Sequence, residues 1–408
     1  MRILVAPDAF KGTLSAAEVA EAIARGVEST GLAADRCPLA DGGEGTLDAL
    51  APALGARRTT AATHDPLGRP IEAAWGWAPE PAVRAETAPA SAAPARAAAG
   101  HDATAIVETA AASGLALVAP DERDAWAAST YGTGELIAAA AAAGARTILL
   151  AAGGSATTDG GAGALAALAA AGGAPDGTAG CMPAAAAPGA DAGLDAAAAG
   201  NTLDELAALD APALAAAARA LRGARIVVLC DVRTPFERAA ETFSPQKGAD
   251  PEMAARLARR LDALAARLPR DPRGRPLTGC AGGLSGGLWA ALDARLAPGA
   301  AYVLDALGVD RRLRQAQAVI TGEGRLDAQT AEGKLVAELA RRAAAAGIPA
   351  YALVGQDATT PAQRTALGLA AAIEAGTPAA LEAAAARLAE QIAATTDADA
   401  PLDRDAQA

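Results

Sequence analysis

The sequence predicts an α/β protein built on parallel sheet, with room for two domains. Three observations carry that prediction. Short apolar runs at 2–6, 148–150, 225–230, 318–321 and 350–354 alternate with longer stretches of helical periodicity. Polar, glycine-rich loops recur just after these runs, where ligands bind at the carboxyl ends of strands in open α/β sheets. A length of 408 residues suffices for two domains, each with its own core.

Composition narrows the class. Apolar residues make up 52 % of the chain but aromatics only 2 %, so the cores must be built from Leu, Val, Ile and Ala. A net charge of −12 argues against nucleic acid as a partner. The opening run Met1–Asp8 is too short for a signal peptide, and no apolar stretch reaches membrane-spanning length. Cys37, Cys181, Cys230 and Cys280 are scattered, fitting neither a zinc site nor a secreted disulfide framework. The expectation is a soluble cytoplasmic protein. The two histidines, His64 and His101, lie outside the glycine-framed loops, which leaves little basis for Ser-His-Asp or Cys-His catalysis. There are three lysines, Lys11, Lys247 and Lys334, in an otherwise arginine-based chain, and each adjoins a glycine. Glycine beside a cation suits close approach of a ligand.

Taken in order, residues 2–6 read as a buried strand ending in Pro7-Asp8-Ala9-Phe10-Lys11-Gly12. Ser15 and Glu18 then form a capping box that starts a helix. Asp41-Gly42-Gly43-Glu44-Gly45 frames two carboxylates with glycine, suited to Mg2+ binding or general-base work. Residues 59–77 read as two strands joined at Asp65-Pro66-Leu67-Gly68. Residues 86–103 read as a loose linker, and 172–200 as a Gly, Ala and Pro loop. Strand 225–230 delivers Asp231, and Phe243-Ser-Pro-Gln-Lys247-Gly248 precedes a helix. Five glycines crowd 279–287. Strand 318–321 ends in Gly322-Glu323-Gly324, and a last helix spans 379–393 before an acidic tail.

The central stretch is Thr147-Ile-Leu-Leu-Ala-Ala-Gly153-Gly154-Ser155-Ala156-Thr157-Thr158-Asp159-Gly160-Gly161. A buried strand, a loop bared by glycine and a following helix N-terminus together make an anion cradle. It is neither a P-loop nor a strict G-x-G-x-x-G, and an ordinary tight strand-to-helix turn would share the pattern.

These motifs resemble the bacterial glycerate kinase family. Ala-Pro-Asp8-Ala-Phe-Lys11-Gly, Ala-Asp41-Gly-Gly-Glu44-Gly, Tyr131-Gly-Thr-Gly-Glu-Leu, Gly-Gly-Ser155-Ala-Thr-Thr-Asp159-Gly-Gly, Pro-Gln-Lys247-Gly-Ala and Ile-Thr-Gly-Glu323-Gly-Arg-Leu-Asp327 stand in the family's order. The chain departs from it at Thr158, where Asn is usual, and at Arg233-Thr-Pro-Phe, where Thr-Asn-Pro-Leu is usual. The resemblance implies phosphorylation of D-glycerate, to 2- or 3-phosphoglycerate, with ATP and Mg2+. It also implies two α/β domains with the active site in the cleft between them. The expected division is 1–78 plus 288–395 as a discontinuous Rossmann-like domain, 79–287 as an inserted α/β domain and 396–408 as a frayed tail.

Phosphoryl transfer requires a hydroxyl held in line with phosphorus and positive charge on the phosphates. Asp8, Lys11, Asp41 and Asp159 are the candidate catalytic residues, Asp41 and Asp159 as bases and Lys11 at phosphate. Gly153, Gly154, Ser155, Thr157, Lys247 and Lys334 are the candidate substrate- and phosphate-binding residues. Asp231 and Glu323 are the metal candidates. Two rival readings stand at this point: a hydrolase with Ser155 as nucleophile, and a non-catalytic nucleotide-binding protein. The sequence leaves the oligomeric state open.

Overall fold

In the computed structural model, residues 1–79, 102–173, 209–327, 330 and 335–398 are described. The candidate linker 86–103 falls largely outside them, as do Lys334 and most of 172–200. Eleven strands lie among the described residues: β1 (Arg2–Val5), β2 (Ala33–Arg36), β3 (Arg57–His64), β4 (Pro70–Ala78), β5 (Thr104–Glu108), β6 (Thr147–Ala151), β7 (Arg225–Cys230), β8 (Arg295–Pro298), β9 (Ala318–Leu326), β10 (Ala350–Asp357) and β11 (Leu369–Glu374). They form two sheets, ordered β11-β10-β9-β1-β2 and β3-β4-β5-β6-β7-β8.

The first unit comprises 1–40 and 307–408. All pairings in its sheet are parallel, and β1 and β9 are neighbours with Ile3 opposite Ala318. Segments 2–6, 318–321 and 350–354 share this one sheet, as a domain assembled from the N-terminal segment and the C-terminal third requires. Helix Ala16–Ser29 forms because Ser15 and Glu18 satisfy its first amides reciprocally. It turns Val19, Ile23 and Val27 inward, where they join Leu381, Ala385 and Leu388 of helix Pro378–Ala398 in one core. That last helix runs past the expected tail boundary to Ala398.

The second unit comprises 41–306. Strands β5 to β8 pair in parallel, in chain order, and β3–β4–β5 pair antiparallel. Every residue of β6 is buried, as a strand apolar from Ile148 to Ala151 and covered on both faces requires. The Asp65 turn works as its residues suggest, the carboxylate accepting from the amides of Leu67 (2.8 Å) and Arg69 (2.9 Å).

The division differs from the one read in the sequence. It falls at 40/41 and 306/307 rather than 78/79 and 287/288. Strand pairing is the reason. Gly76 pairs with Ile106, which binds the 57–78 hairpin to the second sheet, and β8 extends that sheet's other edge by pairing with β7.

Candidate active site

In the first unit the order of strands reverses between β1 and β9, the position where open sheets place ligands. The parallel ladder continues past the formal end of β1: the amide of Ala6 donates to Ile320 O and that of Asp8 to Gly322 O, both at 2.8 Å. Asp8 thereby lies beside Glu323 at the carboxyl edge. Asp8 is buried, and its Oδ1 accepts from the Ala9 amide at 2.7 Å. Glu323 Oε1 accepts from the buried Thr330 hydroxyl at 2.8 Å. Lys11 is exposed at the tip of a turn in which the amides of Thr13 and Leu14 donate to Phe10 O. The N-terminus of the next helix is occupied by its own Ser15–Glu18 box, so positive charge at this edge comes from side chains, Lys11 on the turn and Arg325 on β9.

The second unit brings together the other candidates. Asp41 is buried and accepts from the Gly43 amide at 3.0 Å. The loop after β6 presses against it. A Cβ added at Gly153 would stand 2.6 Å from Gly43 Cα and 3.2 Å from Asp231 Oδ2. Only glycine fits, and the carboxylates of Asp41 and Asp231 therefore converge on one backbone contact although they follow different strands. Beyond it, the loop is clamped by an antiparallel bridge: the Leu115 amide donates to Gly154 O and the Ala156 amide to Ser113 O, both at 2.9 Å.

Lys247 lies behind this loop, 3 % exposed, with Nζ donating to Ser155 Oγ at 3.0 Å and to Thr157 O at 2.6 Å. Burial pushes its ammonium down to about 8, against the pull of the Asp159 and Asp231 carboxylates. Asp159 is fully buried. Its Oδ2 accepts from Thr130 N (2.8 Å), Thr130 Oγ1 (2.7 Å) and Gly163 N (3.2 Å), and its Oδ1 from Gly161 N (3.1 Å). The carboxylate thus ties the helix Tyr131–Ala142 to the start of helix Ala162–Gly173.

Three supports went unassigned in the sequence. Thr130 is a partner of Asp159, and its only signal was its place just before a helix. Glu108 accepts from the Leu47 amide at 2.8 Å and so holds the helix after the Asp41 loop; burial raises its carboxyl above the ordinary range. Gly282 sits at φ 63° with its Cα against the loop: a Cβ there would stand 2.0 Å from Thr157 O, the carbonyl that Lys247 grips. Gly282→Ala is accordingly expected to cost about 3 kcal/mol or more, from left-handed strain and overpacking together. Thermal unfolding of that variant measures it.

Among the described residues no group of three or more His, Cys, Asp or Glu forms a metal cage, and no helix is long and apolar enough to cross a membrane. A magnesium ion that arrives with phosphates needs only one or two protein carboxylates, and Asp231, beside the Gly153 backbone, suits that need.

The glycerate kinase family model matches residues 3–400. Over 368 residues the chain is 35% identical to a glycerate kinase of Bacillus subtilis (strain 168), covering 87% of this chain and 85% of that protein. Over 355 residues it is 35% identical to a glycerate 2-kinase of Escherichia coli (strain K12), covering 84% and 82%. A crystal structure from Salmonella typhimurium LT2, described as a candidate glycerate kinase 2, is similar with a TM-score of 0.69 and 31% identity over 97% of this chain and 99% of that one. A family match across nearly the whole chain, together with the two glycine-framed carboxylate clusters, places this protein in the glycerate kinase family.

Proposed function

We propose that the chain transfers the γ-phosphoryl group of ATP to D-glycerate, giving 2-phosphoglycerate. The carrying observation is the loop Gly153–Thr157, bare of side chains at Gly153 and Gly154, set against the Asp41 and Asp231 carboxylates and backed by a buried ammonium. The name of the Escherichia coli relative supports the 2-phosphate over the 3-phosphate.

In this reading the cradle of Gly153, Gly154, Ser155 and Thr157 holds an oxyanion with its amides and hydroxyl. Asp41 orients the acceptor hydroxyl and takes its proton, its carboxylate held at the glycine turn by the Gly43 amide. Asp159, with both oxygens committed to backbone and Thr130, keeps the loop in place instead. In the first unit, Lys11 places a cation on phosphate, with Asp8 beside it. Asp231 in the second unit and Glu323 in the first each keep their assignment as a carboxylate for Mg2+, which would supply charge neutralisation at the phosphates when bound. Lys334 keeps its assignment as a phosphate contact. We also place the protein in the cytoplasm, a reading supported by its free buried thiols Cys37, Cys230 and Cys280.

The hydrolase alternative is weakened by the partner of Ser155. That partner is a lysine already donating to the serine oxygen, and no histidine is bonded to it among the described residues. The testing experiment is ATP consumption by purified protein with and without D-glycerate and Mg2+. ATP loss is expected only with both; equal loss without glycerate would reject the proposal.

A further inference from the structure

We propose that Lys247 is a positioning residue: it compels Ser155 to donate its hydroxyl hydrogen to a substrate oxyanion and does not touch that oxyanion itself. The proposal rests on the kinase reading and deepens it.

The direction of the hydrogen bonds carries the argument. An ammonium has three donors and no acceptor. With Nζ 3.0 Å from Ser155 Oγ and 2.6 Å from Thr157 O, both oxygens must accept. A hydroxyl that accepts from an ammonium keeps its own hydrogen for another partner, and among the described residues Ser155 Oγ has no acceptor. The backbone on either side of the serine is fixed, Gly154 O by the Leu115 amide and the Ala156 amide by Ser113 O, and the ammonium holds the side chain in the rotamer that faces it. Its hydrogen is left for a ligand, and an acceptor with full negative charge suits it best.

Lys247 is closed off from any ligand by the loop it holds, being 3 % exposed and carried on the short turn Pro245–Lys247. Its charge still reaches the cradle through a low-dielectric interior. Two carboxylates act on it electrostatically, Asp159 from the loop and Asp231 from the end of β7. Both draw on the same cation, and an arriving oxyanion adds a third. The chemistry required of the ligand is a carboxylate or a phosphate oxygen, and the nearest sources are glycerate and ATP.

The test is steady-state kinetics and thermal unfolding of the wild type, Ser155→Ala, Lys247→Met and the double variant. Each single variant is expected to raise the KM of one and the same substrate roughly 10–100-fold, the range for a hydrogen bond to a charged group. The double variant should rise no further, since the lysine acts through the serine. A raised KM for glycerate assigns the oxyanion to its carboxylate; a raised KM for ATP assigns it to a phosphate. Factors that multiply in the double variant overturn the proposal. So does Ser155→Ala with both KM values unchanged, a result that needs no lysine variant to fold. Wild-type protein that consumes no ATP with glycerate would sink the functional reading itself, whereas an active wild type with multiplying factors sinks only the role of Lys247.

Discussion

Lys11→Arg is expected to lose roughly 10²–10³ in kcat, the cost of removing one transition-state contact, while melting at the wild-type temperature. The charge is kept, so the loss would come from shape. An ammonium is a compact point charge on a flexible stem, and a guanidinium is a wide planar fork. Lys11 stands exposed on a tight turn next to Gly12, and the arginine-rich composition shows that a cation of the other kind was available everywhere else. An exposed turn residue supports no core, which is why stability should hold. The measurement is kcat and thermal melting on one preparation. Near-wild-type kcat would show that charge alone suffices; a large drop in melting temperature would make the lysine structural.

Asp159→Ala is expected to destabilise the protein by about 3–5 kcal/mol, because it strands buried donors that the carboxylate now satisfies. Thr130 N, Thr130 Oγ1, Gly161 N and Gly163 N would all lose their acceptor. The same change removes one of the two carboxylates that stabilise the Lys247 ammonium. Urea unfolding of the variant separates this role from that of a base. A catalytic base with no structural duty would lose kcat and unfold at the wild-type midpoint, whereas the account here requires the midpoint to fall.

Much of the architecture was legible because it is written locally. The capping box at Ser15 and Glu18, the Asp65 turn and the apolar strand β6 each follow from adjacent residues. The sharing of one sheet by β1, β9 and β10 followed from the family resemblance, which implies one domain built from the N-terminal segment and the C-terminal third. The unit boundary was not legible. The alternation in β3 and β4 announces a hairpin but not which sheet edge it joins, and pairing of Gly76 with Ile106 decided that.

The site divides the same way. Glycine beside Asp41, Ser155 and Glu323 marked the loops correctly as places of close backbone approach, as the contact of Gly153 with Gly43 illustrates. The roles within those loops depend on partners distant in sequence. Asp159 has the residue type of a base, and the structure adds that Thr130 donates to its carboxylate. Lys247, a phosphate-binding candidate by its type and its neighbour Gly248, is buried with its ammonium bonded to Ser155. Neither fact has a local signature, because a sequence shows residue type and spacing but not which side of a loop a neighbour packs against.

Phosphorylation of glycerate by this chain is decided by ³¹P NMR of a reaction containing D-glycerate, ATP and Mg2+. A new phosphomonoester resonance matching 2-phosphoglycerate is expected, growing as the ATP γ-signal declines and absent when glycerate is omitted. ADP with inorganic phosphate as the only other product would contradict it.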